Sequence, residues 1–257
     1  MHKKLIMQGV MFPVFCVILF AGCAKIPELR DGDTIVTNKE QKGVPVKCTF
    51  TRGPSFGTIV TFGPAKMRIV PQVSIWVEDS SKKFRHNIYV TRCFAKQVWR
   101  GINEHPDSTY RTSSFPYWLG RLNAASIPYP TSSHPLPDAI SSATPQGSFT
   151  IETTIDSSIT AGTIWCEFNS SFDANEIWKA EGAEKYNGQP SLIYACDFNL
   201  TEAKTITLSY KGHGGAAGTD HGLYNDEFGI VSAKQIFSSI SVEINPGSMA
   251  SRYAGLP

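Results

Sequence analysis

The chain has 257 residues, a formal net charge of +2, 41% hydrophobic residues and 18% charged residues. This balance excludes an intrinsically disordered chain, which carries more charge and less apolar surface. The near-zero charge offers no basic face for nucleic acid, and a mean hydropathy of −0.15 excludes a bundle of membrane-spanning helices. A chain this long buries roughly 70–75% of its unfolded surface, so its core requires neither metal nor disulfides.

The chain opens on the basic string MHKK, followed by an uncharged run over residues 5–22 that Gln8 and Pro13 interrupt. That pattern reads as the n- and h-regions of a secretory signal. The run ends Leu19-Phe20-Ala21-Gly22-Cys23, which resembles the lipobox of bacterial lipoproteins apart from Phe20, where Leu is usual. The resemblance makes Cys23 the site of lipid attachment, with cleavage after residue 22 and a stable membrane anchor from two or more acyl chains. Ala24 lacks the Asp that commonly retains such proteins at the inner membrane, so the expected address is the periplasmic face of the outer membrane. Lys3 and Lys4 leave with the signal, and the mature chain is formally neutral.

Residues 23–43 are polar and mixed in charge and read as a lipidated flexible tether. From residue 44 onward the dominant period is two, as half-buried strands require. Val44, Val46, Cys48 and Phe50 form one set, and Val73, Ile75 and Val77 a second. Phe149, Ile151, Thr153 and Ile155 form a third, Leu192, Tyr194, Cys196 and Phe198 a fourth. Ile206, Leu208 and Tyr210 read as one strand, and Ile240, Val242 and Ile244 close the series. Further strands are expected near 57–62, 84–94 and 162–168, giving eight to ten in all. Helical patterns are scarce: 117–123, 173–185 with Asp173 as a cap and Glu176 three residues on, and 231–237. Residues 124–147 carry five prolines and read as one long loop, since proline cannot donate to a sheet ladder. The predicted class is all-β, an antiparallel sandwich or barrel over 44–257 with a few short helices.

Four cysteines remain after the signal and the anchor: Cys48, Cys93, Cys166 and Cys196. An exported chain can form disulfides. Four cysteines allow three pairings that sequence cannot separate; buried free thiols and a Cys166–Cys196 bridge between neighbouring strands are both open readings.

Several strings occur together: PQVSIWVED (71–79), NIYVTRCFAKQVW (87–99), PDAISSATPQG (137–147), NGQPSLIYA (187–195) and GHGGAAGTDHGLY (212–224). The set resembles an uncharacterised family of exported bacterial proteins carrying a domain of unknown function. The resemblance implies an immunoglobulin-like sandwich and implies no chemistry.

Four places invite a functional reading. Asp138 to Thr144 resembles the D-x-x-S-G-A-T motif to which flavin transferases attach FMN. By that match Thr144 is the acceptor and Asp138 the acidic position, but Ser142 replaces the motif's Gly. A proline-rich turn with Asp138 and Ser141 bonded to their own backbone is the plainer reading. The glycine-rich run 212–222 holds His213, Asp220 and His221, with Asp226 and Glu227 beyond; imidazole and carboxylate suit a divalent metal if they converge. Its glycine spacing fits neither a dinucleotide nor a phosphate loop. Gly53-Pro54-Ser55-Phe56-Gly57 has the form G-x-S-x-G, but a nucleophile elbow needs a helix after the turn and here a strand is expected. Finally, Trp76 and Trp165 fall on the polar-alternating faces of their strands, and with Trp99, Trp118, Trp178, Tyr110, Phe115 and Tyr117 they make either a ligand platform or a covered core. No catalytic constellation emerges. The sequence therefore reads as a lipid-anchored envelope protein with a non-catalytic binding or structural role and a protein or carbohydrate partner. The alternative is a redox accessory protein holding FMN on Thr144 or a metal at the His213/His221 loop.

Overall fold

The computed structural model describes residues 30–99, 105–179 and 186–248; residues 1–22 and Cys23 lie outside them. In chain order the elements are β1 (Asp33–Val36), β2 (Gly43–Arg52), β3 (Thr58–Phe62), β4 (Ala65–Ile69), β5 (Gln72–Asp79), β6 (Phe84–Thr91), α1 (Arg92–Ala95) and α2 (Pro116–Ala124). There follow β7 (Ser141–Ser142), β8 (Phe149–Asp156), β9 (Ala161–Asn169), β10 (Leu192–Asn199), β11 (Lys204–Thr207), β12 (Ser209–Gly214), β13 (Leu223–Tyr224) and β14 (Phe237–Ile244).

The fold is all-β. One sheet runs β1-β8-β2-β14-β11, a second runs β13-β12-β10-β9-β5-β6-β7, and β3 with β4 forms a separate hairpin. Neighbours are antiparallel except β1 with β8 and β6 with β7. The period-two residues explain the packing. Val46, Cys48 and Phe50 of β2, Ile151 and Ile155 of β8, and Val242 and Ile244 of β14 point into one core. Val73, Ile75 and Val77 of β5, Ile164 and Phe168 of β9, and Leu192 and Phe198 of β10 fill it from the other sheet. Each such aliphatic or aromatic side chain contributes roughly 1.5–3 kcal/mol on burial.

A second apolar cluster lies on the outer face of the larger sheet, where Trp76, Val90 and Trp165 are covered by Phe94, Phe115, Trp118, Leu119 and Leu122. Helix α2 builds that cover: Pro116 presets its first turn, and Trp118, Leu119 and Leu122 share one face. This is why β5 is buried on both sides.

The structure corrects several boundaries. The stretch expected to be a free tether supplies β1, whose residues Asp33–Val36 pair in parallel with Phe149–Glu152. The strand expected over 206–210 is two strands in different sheets. Thr207 pairs with Ser241 of β14 and Ser209 with Ala195 of β10, while buried Leu208 turns the corner and donates its N–H to the Ile240 carbonyl at 2.9 Å. No helix forms over 173–179, because the Asn175 carboxamide oxygen takes the N–H groups of Ile177 and Trp178 at 2.9 and 2.7 Å and holds a turn instead. The rest of that expected helix, 180–185, lies outside the described residues. The 231–237 helix shrinks to a single 3-10 turn over Ala233–Gln235, and the strand expected over 84–94 gives way at Arg92 to α1. The proline-rich loop is pinned along its length. The Leu136 N–H bonds to the Ala95 carbonyl at 2.9 Å, and Ser141–Ser142 add a short parallel strand beside Val90–Thr91.

Candidate binding surface at the edge of the larger sheet

Several exposed apolar side chains lie where the chain leaves β12, passes β13 and returns to β14, and in the loop before Lys179. Phe228 is 69% exposed, Val231 63%, Ile177 50% and Tyr224 42%. His213 lies beneath them. Its Nδ1–H donates to the Gly214 carbonyl at 2.7 Å, which aims Nε2 at Asp226, 3.5 Å away. Tyr224 stacks on the imidazole, with ring centroids 5.4 Å apart, and Trp178 meets it edge-on at 5.8 Å. The Trp178 indole N–H donates to the Phe228 carbonyl at 2.9 Å, and the Asn175 carboxamide N–H to that of Gly229 at 2.8 Å, so the two loops are fixed against each other.

Carboxylates surround these rings. The Tyr224 hydroxyl donates to Asp220, a bond that raises the Tyr224 pKa. Asp226 accepts the Phe228 N–H and lies beside His213, and these together hold its pKa below the usual range. Glu227 pairs with Lys234, whose ammonium also sits over the Tyr210 ring. A hollow of about 430 Å³ beside Trp178 is lined by Glu176, Ile177, Trp178 and Lys179. Aromatic faces beside carboxylates, exposed together at one edge, make a surface that can stack on a ligand and accept its hydrogen bonds.

The residues singled out from sequence fall in different places. Trp76 and Trp165 do stand opposite each other on β5 and β9, with rings stacked 6.1 Å apart. Helix α2 packs over them: Trp76 is fully buried and belongs to the core, while Trp165 is half-buried beside it. The indole N–H of Trp76 donates to Glu78, which also accepts the Arg121 guanidinium at 2.6 Å.

The glycine-rich run divides. His213 belongs to the exposed edge, but His221 faces α2, donating Nδ1–H to the Pro116 carbonyl at 2.7 Å and accepting the Tyr129 hydroxyl at 3.2 Å. The structure does not bring His213, Asp220 and His221 together, and among the described residues no three His, Cys, Asp or Glu side chains converge on a metal position. Two glycines admit this packing. A Cβ on Gly120 would lie 2.5 Å from the His221 Cβ, and one on Gly214 would lie 2.4 Å from the Ser191 hydroxyl and 2.6 Å from Pro116.

Thr144 is half-buried, and its carbonyl accepts the Gln146 carboxamide at 3.0 Å. Asp138 is exposed and paired with Lys96 at 2.9 Å. Ser142 lies in extended β7 and is not among the residues at positive φ. Cys166 and Cys196 are free thiols: Cys166 faces Tyr194 and Cys196 faces Ile164 in the ladder. Such diagonal neighbours lie about 7–8 Å apart, beyond disulfide reach. Ser55 sits in a turn that leads into a strand, not a helix.

Tyr224 and Phe228 were not singled out from the sequence. The signal was the string Leu-Tyr-Asn-Asp-Glu-Phe (223–228), where aromatics stand among acids without an alternating apolar partner. Comparison of the chain with protein-family models, with curated proteins and with solved structures returned no match.

Proposed function

We propose that this protein is a lipid-anchored component of the bacterial envelope with a non-catalytic binding role, exercised through the surface of Trp178, Tyr224 and Phe228. The observation that carries the reading is the exposure of Tyr224 and Phe228, beside half-buried Trp178 and the carboxylates Asp220, Asp226 and Glu227, at one sheet edge. Soluble proteins seldom leave large apolar side chains grouped in the open without a partner. The order of basic start, apolar run, small residues and Cys23 supports anchorage by lipid, and Ala24 after it favours the outer membrane. An immunoglobulin-like architecture is the finer fold reading, supported by two largely antiparallel sheets that share a chain crossing at Leu208. A carbohydrate or an envelope protein is the partner class that such rings and acids suit.

Two measurements test this. Cys23→Ala moves the protein from the membrane to the soluble fraction; an unchanged distribution refutes the anchor. Purified protein co-sediments with isolated envelope fragments, and Trp178→Ala combined with Phe228→Ser weakens this about tenfold, or 1.4 kcal/mol; equal sedimentation of both proteins refutes the surface.

A further inference from the structure

The segment that follows Cys23 joins the sandwich at the same end from which the β3–β4 hairpin departs. Asp31 accepts the Arg52 guanidinium at 2.8 Å and the Ser148 N–H at 2.6 Å, which places it beside the last residue of β2. Asp31 stands eight residues after Cys23, and eight residues span at most about 28 Å. A lipid on Cys23 therefore keeps this end of the sandwich within that distance of the membrane. The opposite end, where Ile244 pairs with Val46 and Lys204, lies roughly 20 Å from Arg52 along β2.

The hairpin belongs to neither sheet: β3 and β4 pair with each other and, among the described residues, with no other strand. The core holds both of its roots. Phe56 packs on Phe237, with ring centroids 5.7 Å apart, and Val70 packs against the same cluster. Five residues in each strand carry the tip about 16 Å from those roots. A lone two-stranded ribbon is marginal in water and gains from a surface to lie on.

Register sets what the hairpin presents. Ile59 stands opposite Arg68 and Thr61 opposite Lys66. Ile59 is 50% exposed, and Thr61 and Lys66 are exposed with it. Val60 and Met67, on the other face, are half-buried. The Arg68 guanidinium donates to the Gly57 carbonyl at 3.0 Å, so that cation stays near the root and Lys66 is the one nearer the tip. At the turn, Gly63 and Pro64 are exposed. No Asp or Glu occurs between Glu40 and Glu78. Cations and apolar carbon without a carboxylate suit an interface of anionic headgroups.

We propose that the β3–β4 hairpin is a second membrane contact, which lays Ile59 and Lys66 against anionic lipid headgroups and fixes how the anchored sandwich is oriented. The proposal rests on the Cys23 anchor for proximity to the membrane, and the hairpin's own residues supply the attraction.

The full-length protein, purified from membranes, is mixed with vesicles of phosphatidylcholine alone or with added phosphatidylglycerol, and amide hydrogen exchange is followed by mass spectrometry. Peptides covering 57–70 exchange severalfold more slowly on the anionic vesicles, peptides covering 201–208 at the opposite end do not change, and added salt removes the difference. Lys66→Glu and Ile59→Ser each reduce the protection, with exchange at 72–79 unaltered in the absence of vesicles. The mass of the Cys23 peptide in the same digest reads the anchor separately. Protection at 57–70 with an unlipidated Cys23 refutes the anchor and keeps the hairpin contact. A lipidated Cys23 with no protection at 57–70 overturns the hairpin contact and keeps the anchor, and loss of both signals overturns both. Equal protection on the two kinds of vesicle assigns the hairpin to a protein neighbour and also overturns the proposal. The wild-type comparison decides the matter even if a variant does not fold.

Discussion

The Glu167 carboxylate of β9 accepts the Trp118 backbone N–H at 2.7 Å and that of Tyr117 at 3.3 Å, capping α2 from across the sheet. Phe115, the residue before the helix, has no side chain able to do this. Ser191 donates its hydroxyl to the same carboxylate at 2.6 Å. One buried acid thus joins β9, the start of β10 and the helix that seals the outer core.

Removing that acid unseats α2. Glu167→Ala leaves two helix N–H groups and a buried hydroxyl unpaired, at about 1–3 kcal/mol for each buried group so stranded. Glu167→Gln keeps one acceptor and loses less. Urea unfolding midpoints measure both, and a Glu167→Ala protein as stable as wild type contradicts the capping role.

Glu167 also sets a pH dependence. Burial raises its carboxyl from 4.5 to about 7, and Asp173 rises from 3.8 to about 7 for the same reason. Between those limits the folded state holds two protons that the unfolded chain releases; burial lowers His86 to about 4 and works the opposite way for one proton, so the net stability falls as pH rises from about 4.5 to about 7 and levels off above. Unfolding midpoints at pH 5 and pH 8 show the decline, and Glu167→Gln makes it shallower. Stability that rises across this window contradicts the prediction.

Trp76 is expected to matter for folding and not for binding. It is fully buried against Trp165 and Tyr117, so Trp76→Ala costs about 3–5 kcal/mol, as large-to-small core changes do. Trp178→Ala, in a loop, costs far less. Thermal melts of the two variants separate them, and similar losses in both refute the distinction.

The four described cysteines differ in reach. Cys48, Cys166 and Cys196 are buried and Cys93 half-buried. Burial pushes the Cys196 thiol up to about 12 and raises Cys48 and Cys166 as well, so none of the three offers thiolate at neutral pH. Maleimide labelling followed by peptide mapping marks Cys93 first in native protein and all four after denaturation. A disulfide-linked peptide pair among them contradicts the structure.

Gly120 is a contact rather than a weakness of α2. A methyl group there meets His221 at 2.5 Å. Gly120→Ala therefore destabilises the protein by about 1–3 kcal/mol, as overpacking does, although alanine favours an isolated helix. A rise in melting temperature refutes this.

Much of the fold was legible in the chain. The alternations of β2 and β8 appear in the structure residue for residue, because one face of each meets the core and the other meets solvent. The corner at Leu208 was not legible: its apolar side chain continues the period of two, and a period reports which residues are buried, not which sheet supplies their partners. The cover over Trp76 was hidden for a related reason. An aromatic on the second face of a strand looks the same in sequence whether α2 or water lies over it. Of the candidate surface, Trp178 was visible as an aromatic and His213 as a polar side chain. Their meeting with Tyr224 depends on a strand of two residues, too short to leave a pattern.

Leu208 gives the molecule a mechanical property. The sheets are joined there without a loop, by one residue whose side chain lies in the core and whose N–H stays bonded to Ile240. A tension applied to β11 passes straight into β12, at whose far end stands His213. The smaller sheet and the ring-bearing edge therefore behave as parts of one lever, with no slack segment to absorb a displacement between them.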